Sequence, residues 1–119
     1  MNKEAFKEVI KRRVYAEEIS CGEWDEEIEK CWKIETDILS EDIPGTIEYL
    51  QNECTDDEYS WISEVLQEVV LKTMSSELVE CYKSLMAKFP EECETYNIGG
   101  VVEIAEGILR WEAEHGKKD

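Results

Sequence analysis

The sequence predicts an all-α domain, and three observations carry that prediction. No run alternates polar and apolar residues over the length of a strand. Apolar residues recur instead at three- and four-residue spacing, and helix start and stop signals punctuate them at short intervals. A chain of 119 residues is long enough for one real core and too short for two, so residues 1–119 are read as a single domain with 115–119 as a frayed tail. Helix–turn–helix pairs with short loops point to an antiparallel bundle or short array of about six helices. No repeat at a period of about 34 residues favours a true repeat protein.

The first helix is read over 3–18, where Phe6, Val9, Ile10, Val14 and Glu17 share a face with Arg13 in its middle. An isolated arginine there is expected at the core's edge, stem packed and head in water. Ser20-Cys21-Gly22 breaks the pattern. A second helix, 23–39, puts Trp24, Ile28, Cys31, Trp32 and Leu39 on one face, which makes Trp24 and Trp32 core residues by expectation. Glu35 falls in the centre of that face. It is either exposed at a groove or paired with a base such as Arg13, and exposure is the preferred reading because a buried pair is costly.

Ser40 to Pro44 signals the start of a short third helix, 44–53, with Ile47, Leu50 and Cys54 at apolar spacing. The clearest helix follows, over 56–73. Thr55 with Glu58 is a capping box, and Asp56, Asp57 and Glu58 suit the positive end of the helix dipole. Its inner line is Ile62, Leu66, Val69 and Thr73, flanked by Tyr59, Val65 and Val70. Ser75 or Ser76 caps a fifth helix, 76–89, whose face is Leu78, Tyr82, Leu85 and Phe89, ended by Pro90. A short acidic connector, 91–97, either loop or one turn of helix, leads to a last helix, 98–114. There Val101, Ile104, Ala105, Ile108 and Leu109 are expected inward, Trp111 at the edge, and Gly99-Gly100 as a weak first turn.

Charge is the dominant compositional feature: thirty acids against thirteen Lys and Arg, a net −17. Residues 21–60 hold fourteen acids against only Lys30 and Lys33. Such a surface repels nucleic acid and anionic membrane, and attracts basic proteins in a fast, salt-sensitive way. No stretch approaches 18 consecutive apolar residues, and the first residues carry acids and no apolar h-region, so neither a membrane span nor a secretory signal is expected and the location is read as cytoplasmic. Five scattered cysteines, Cys21, Cys31, Cys54, Cys81 and Cys93, form no CxxC pair and are read as free, buried or half-buried thiols.

Chemistry is not expected. The single histidine, His115, stands near the end of the sequence, where it serves neither a nucleophile's base nor a zinc set. No Gly-rich phosphate loop, EF-hand spacing or Glu-x-x-His pair is present, so no cofactor or metal is assigned and the chain is not read as an enzyme. Binding remains. Asp57, Trp61, Glu64 and Glu68 lie three, four or seven apart beside the apolar face of the central helix, a tryptophan among carboxylates suited to a basic partner. Packing of Trp61 on a neighbouring helix, with the acids merely solvated, is the competing reading. Glu23, Asp25, Glu26 and Glu27 add secondary electrostatic contacts.

The run Glu58-Tyr59-Ser60-Trp61-Ile62-Ser63-Glu64-Val65, with Lys88-Phe89-Pro90-Glu91-Glu92, Tyr96-Asn97-Ile98 and Ala105-Glu106, resembles segments of small bacterial immunity proteins. These are encoded beside polymorphic or contact-dependent growth-inhibition toxins. The resemblance spans roughly 43–109. It implies a cytoplasmic protein that binds and blocks a cognate toxin domain, often a nuclease with a basic cleft. The alternative is an acidic helical adaptor, scaffold or nucleic-acid mimic that binds another basic protein.

Overall fold

Four helices start on a side chain that closes their first turn. Asn2 accepts from the Ala5 N–H, Asp42 from Gly45, Thr55 from Glu58 and Ser75 from Leu78. In the computed structural model, which describes residues 1–116, the helices are α1 Lys3–Ser20, α2 Asp25–Glu41, α3 Ile43–Asn52, α4 Asp56–Ser63, α5 Leu66–Thr73, α6 Ser76–Ser84, α7 Pro90–Tyr96 and α8 Ile98–His115. A 3-10 turn, Leu85–Ala87, follows α6, and there is no strand among the described residues. The fold is all-α, as the periodicity predicts. His115 is helical, stacked on Trp111, and the rest of the expected tail, 117–119, lies outside the described residues.

One continuous core collects Phe6 and Ile10 from α1, Leu39 from α2, Tyr49 and Leu50 from α3, and Tyr82 and Val102 from α6 and α8 around the α4–α5 pair. At its centre the Tyr59 and Tyr82 rings stack at 4.2 Å. Each hydroxyl donates to the other residue's carbonyl, at 2.7 and 2.5 Å, so two buried phenols are satisfied by each other's backbone. α1 packs along α2, while α8 lies across α5, α6 and α7.

The helix count differs from the expected six for two local reasons. The predicted 56–73 helix is broken at Glu64 and Val65. Ser60 and Ser63 donate their hydroxyls to the carbonyls three residues back, and the Glu64 and Val65 N–H groups likewise bond three residues back. The turn tightens, Val65 adopts φ −118° and ψ 3°, and the helix restarts at Leu66. The predicted 76–89 helix tightens after Ser84 into the 3-10 turn Leu85–Ala87, and Phe89, which precedes Pro90, leaves helical geometry at ψ 61°. Pro90 then opens α7, which occupies the supposed connector.

The last helix keeps most of its expected inward face: Ala105 is buried and Val101, Ile108 and Leu109 pack against the core, joined by buried Ile98 and Val102, whereas Ile104 stands out in solvent. Apolar residues cover more than half the circumference of α8, so spacing alone leaves its inward face ambiguous. Gly100 is not merely a weak point: a Cβ there would come within 2.6 Å of the Asn97 amide, which folds against the first turn in a left-handed residue. Trp24, expected in the core, is exposed because α2 starts two residues later and leaves it at the cap. Cys21 is likewise exposed, in the left-handed turn that ends α1.

A network at the foot of α4 ties three elements together. Tyr49 donates to Glu58 at 2.7 Å, Lys7 donates to Tyr49 at 3.0 Å and to Glu58 at 3.1 Å, and the Thr55 N–H donates to Glu58 at 3.2 Å. Thr55→Ala should cost about 1 kcal/mol, as a lost cap does. Glu58→Ala should cost clearly more, roughly 2–3 kcal/mol, because it also leaves the buried Tyr49 hydroxyl without its acceptor. Urea unfolding midpoints measure the difference, and equal losses would mean that Lys7 and Tyr49 add nothing to the cap.

Candidate partner-binding site

The break between α4 and α5 decides where the acidic stripe goes. Glu64, at the break, does not stand free. Its Oε1 accepts from Arg13 Nε at 2.9 Å and from the Trp32 indole N–H at 2.9 Å, and its Oε2 accepts from Arg13 Nη2 at 2.8 Å. Arg13 Nη1 donates to Glu17 at 2.9 Å, one turn along α1. The guanidinium carbon lies 4.9 Å from the Trp61 ring and 6.0 Å from that of Trp32. Arg13 is 5% exposed, so its head is not in water as a surface arginine's would be. Two carboxylates and two aromatic faces replace that water.

Glu35 lies in the interior near this pair. It is 0% exposed, and neither carboxyl oxygen has a hydrogen-bond partner. The expectation of an exposed Glu35 is therefore overturned, and the alternative of a bonded pair with Arg13 is not realised either. Glu35 belongs to the buried set of α2 with Ile28, Cys31 and Leu39, and Arg13 spends its donors on Glu64 and Glu17. Burial pushes the Glu35 carboxyl well above the ordinary range; Glu64 pushes it further and Arg13 pulls it partly back.

The other predicted residues scatter around this cluster. Asp57 is exposed on the first turn of α4, and Trp61 is half-buried against the core. Glu68, beyond the break, borders a groove with Trp32, Lys33, Asp37 and Lys72, in which Lys72 donates to Asp37 at 2.7 Å. The four residues are thus two groups, and one of the acids is an internal counterion. Glu23, Asp25 and Glu26 are exposed at the start of α2. Glu27 is instead half-buried and pairs with Arg12 at 2.8 Å, which holds its carboxyl below the usual range.

Beside Glu64 a concavity of about 230 Å³ opens between Ser60, Trp61, Ser63, Glu64, Tyr96 and Val101. Tyr96, Val101 and the two serines are absent from the sequence-based site. Arg13 and Tyr96 were the available signals, a base inside an apolar face and an aromatic at the end of an acidic segment. Among the described residues no group of His, Cys, Asp and Glu is placed to hold a metal ion, and no helix is long and apolar enough to cross a membrane.

Comparison with protein-family models, curated proteins and solved structures finds no match to this chain. The surface chemistry itself has to suggest the function.

Glu35 gives a signed pH dependence. Its folded-state pKa is raised above the ordinary value of 4.5, so the neutral form belongs to the folded state. Its contribution is fully present below that value and is lost as pH rises through the folded pKa. Stability should therefore fall as pH rises above about 5, and Glu35→Gln should remove that component. Thermal midpoints of both proteins across this range measure it: the Gln variant should gain on the wild type as pH rises, and a constant gap would contradict the assignment.

Proposed function

We propose that this chain is an immunity protein that neutralises a cognate basic toxin domain by stoichiometric binding, a nuclease being the toxin class whose cleft fits best. One observation carries the reading: thirty acids stand against thirteen bases, and six of those bases are already paired with acids of this chain. Lys3, Lys7, Arg12, Arg13, Lys72 and Lys83 are each ion-paired to an acid of this chain. Asp57, Glu68, Glu23, Asp25 and Glu26 are exposed and ion-pair with nothing among the described residues. The field outside the protein is then that of the free carboxylates. A nuclease cleft built for phosphates is complementary to it.

The site's chemistry supports binding over catalysis. The carboxyl raised well above its ordinary range, Glu35, is sealed in the core out of reach of any substrate. The resemblance of residues 43–109 to toxin-associated immunity proteins points the same way, and it names the cytoplasm as the place of action.

The test is co-expression with the toxin domain encoded next to the gene, scored by survival and by co-purification. Asp57→Lys with Glu68→Lys, which leaves Glu64 and its partner Arg13 intact, should weaken that complex at least about tenfold and flatten its salt dependence. Titration at several salt concentrations reads both. A folded double variant that binds as tightly and as salt-sensitively as the wild type would remove these residues from the interface, and survival without a complex would contradict direct neutralisation.

A further inference from the structure

We infer that the concavity between Trp61 and Tyr96 is a receptor for an arginine side chain of the basic partner. The inference rests on the basic-partner reading and specifies its anchor. The polar groups that line the cavity offer acceptors. Glu64 takes three N–H groups from Arg13 and Trp32, whereas a carboxylate has about four acceptor positions, and its side chain stays 27% exposed. Ser60 donates its hydroxyl hydrogen to the Asp57 carbonyl at 2.8 Å, and Ser63 donates its own to the Ser60 carbonyl at 2.5 Å. The Ser60 oxygen, on a half-buried residue, is left as an acceptor, while buried Ser63 faces the core. The walls are π faces: Trp61, half-buried and fixed, and Tyr96, 57% exposed.

A group that meets acceptors and aromatic faces at once is a planar cation with several N–H donors. Arg13 shows the same recognition within the chain, its guanidinium over the Trp61 ring and forked onto Glu64. About 230 Å³ admits one such side chain and leaves no room for a helix. A lysine would use the charge but not the planar stacking. A second copy of this chain is disfavoured as the occupant by its net charge of −17.

The experiment titrates the full-length protein with N-acetyl-arginine N-methylamide and follows the Trp61 indole N–H by NMR at constant ionic strength. The lysine and citrulline analogues serve as comparators, citrulline keeping the shape and losing the charge. Arginine should give a saturable shift at Trp61, lysine a weaker one and citrulline none. Tyr96→Ala, a change at an exposed residue, should weaken the arginine response about two- to fivefold, as loss of an exposed cation–π contact does. Equal responses to arginine and lysine, or to arginine and citrulline, would overturn the assignment, as would an unaltered response in the Tyr96 variant. If the pocket fails this way while the toxin complex still forms with its salt dependence, the acidic-surface reading stands without it. If arginine saturates the pocket and no basic partner is captured, the pocket stands and the toxin reading falls.

Discussion

A guanidinium removed from water must find acceptors in the protein, and Arg13 finds them on two helices at once. Glu17 comes from its own helix and Glu64 from the break between α4 and α5. Trp32 on α2 donates to the same Glu64, so α1, α2 and the centre of the chain meet at one carboxylate. Removing one partner of a fully buried pair costs about 3–5 kcal/mol; here Glu17 remains for Arg13 and Glu64 is partly exposed, which lowers that cost. Glu64 still has helical angles and meets Arg13 together with Trp61, while the break at Val65 carries Glu68 away from both. A continuous 56–73 helix would keep Glu68 in register with Trp61 and Glu64 on one outer stripe.

The same geometry separates two kinds of acid on the surface. Glu64, Glu17, Glu27 and Glu58 are counterions of the chain's own bases and are part of its stability; among them Glu64 alone also lines the concavity beside Trp61. Asp57, Glu68, Glu23, Asp25 and Glu26 have no such duty and are available to a partner. Glu35 belongs to neither group. It lies in the interior without a partner, next to a pair that already satisfies itself, and its burial makes the native state sensitive to rising pH.

Much of the fold is legible in the sequence because its helix signals are local. Thr55 and Glu58 form the capping box that their spacing predicts, and Ser75 caps α6. Ile62, Leu66 and Val69 are buried as their three- and four-residue spacing requires. What is not legible depends on contacts distant in sequence or on an ambiguous period. The break at Val65 needs two serine hydroxyls to choose carbonyls over water, which their helical spacing does not reveal. The burial of Arg13 depends on an acid 51 residues away. α8, apolar on two faces, turns on which of them meets α5 and α6. The candidate site is legible in its residue types and not in their grouping: the stripe names Trp61 and the acids, but Tyr96 comes to Trp61 only through the packing of α7 and α8 against α4.

The Arg13–Glu64 pair is the claim on which the rest depends, and a double-mutant cycle with Arg13→Met and Glu64→Gln tests it most directly. Each single variant should lose about 1–3 kcal/mol, and the double variant little beyond the larger single loss, giving a coupling energy of roughly 1 kcal/mol or above. Losses that simply add would show that the two side chains stabilise the protein independently, and would contradict this account of how the helices are joined.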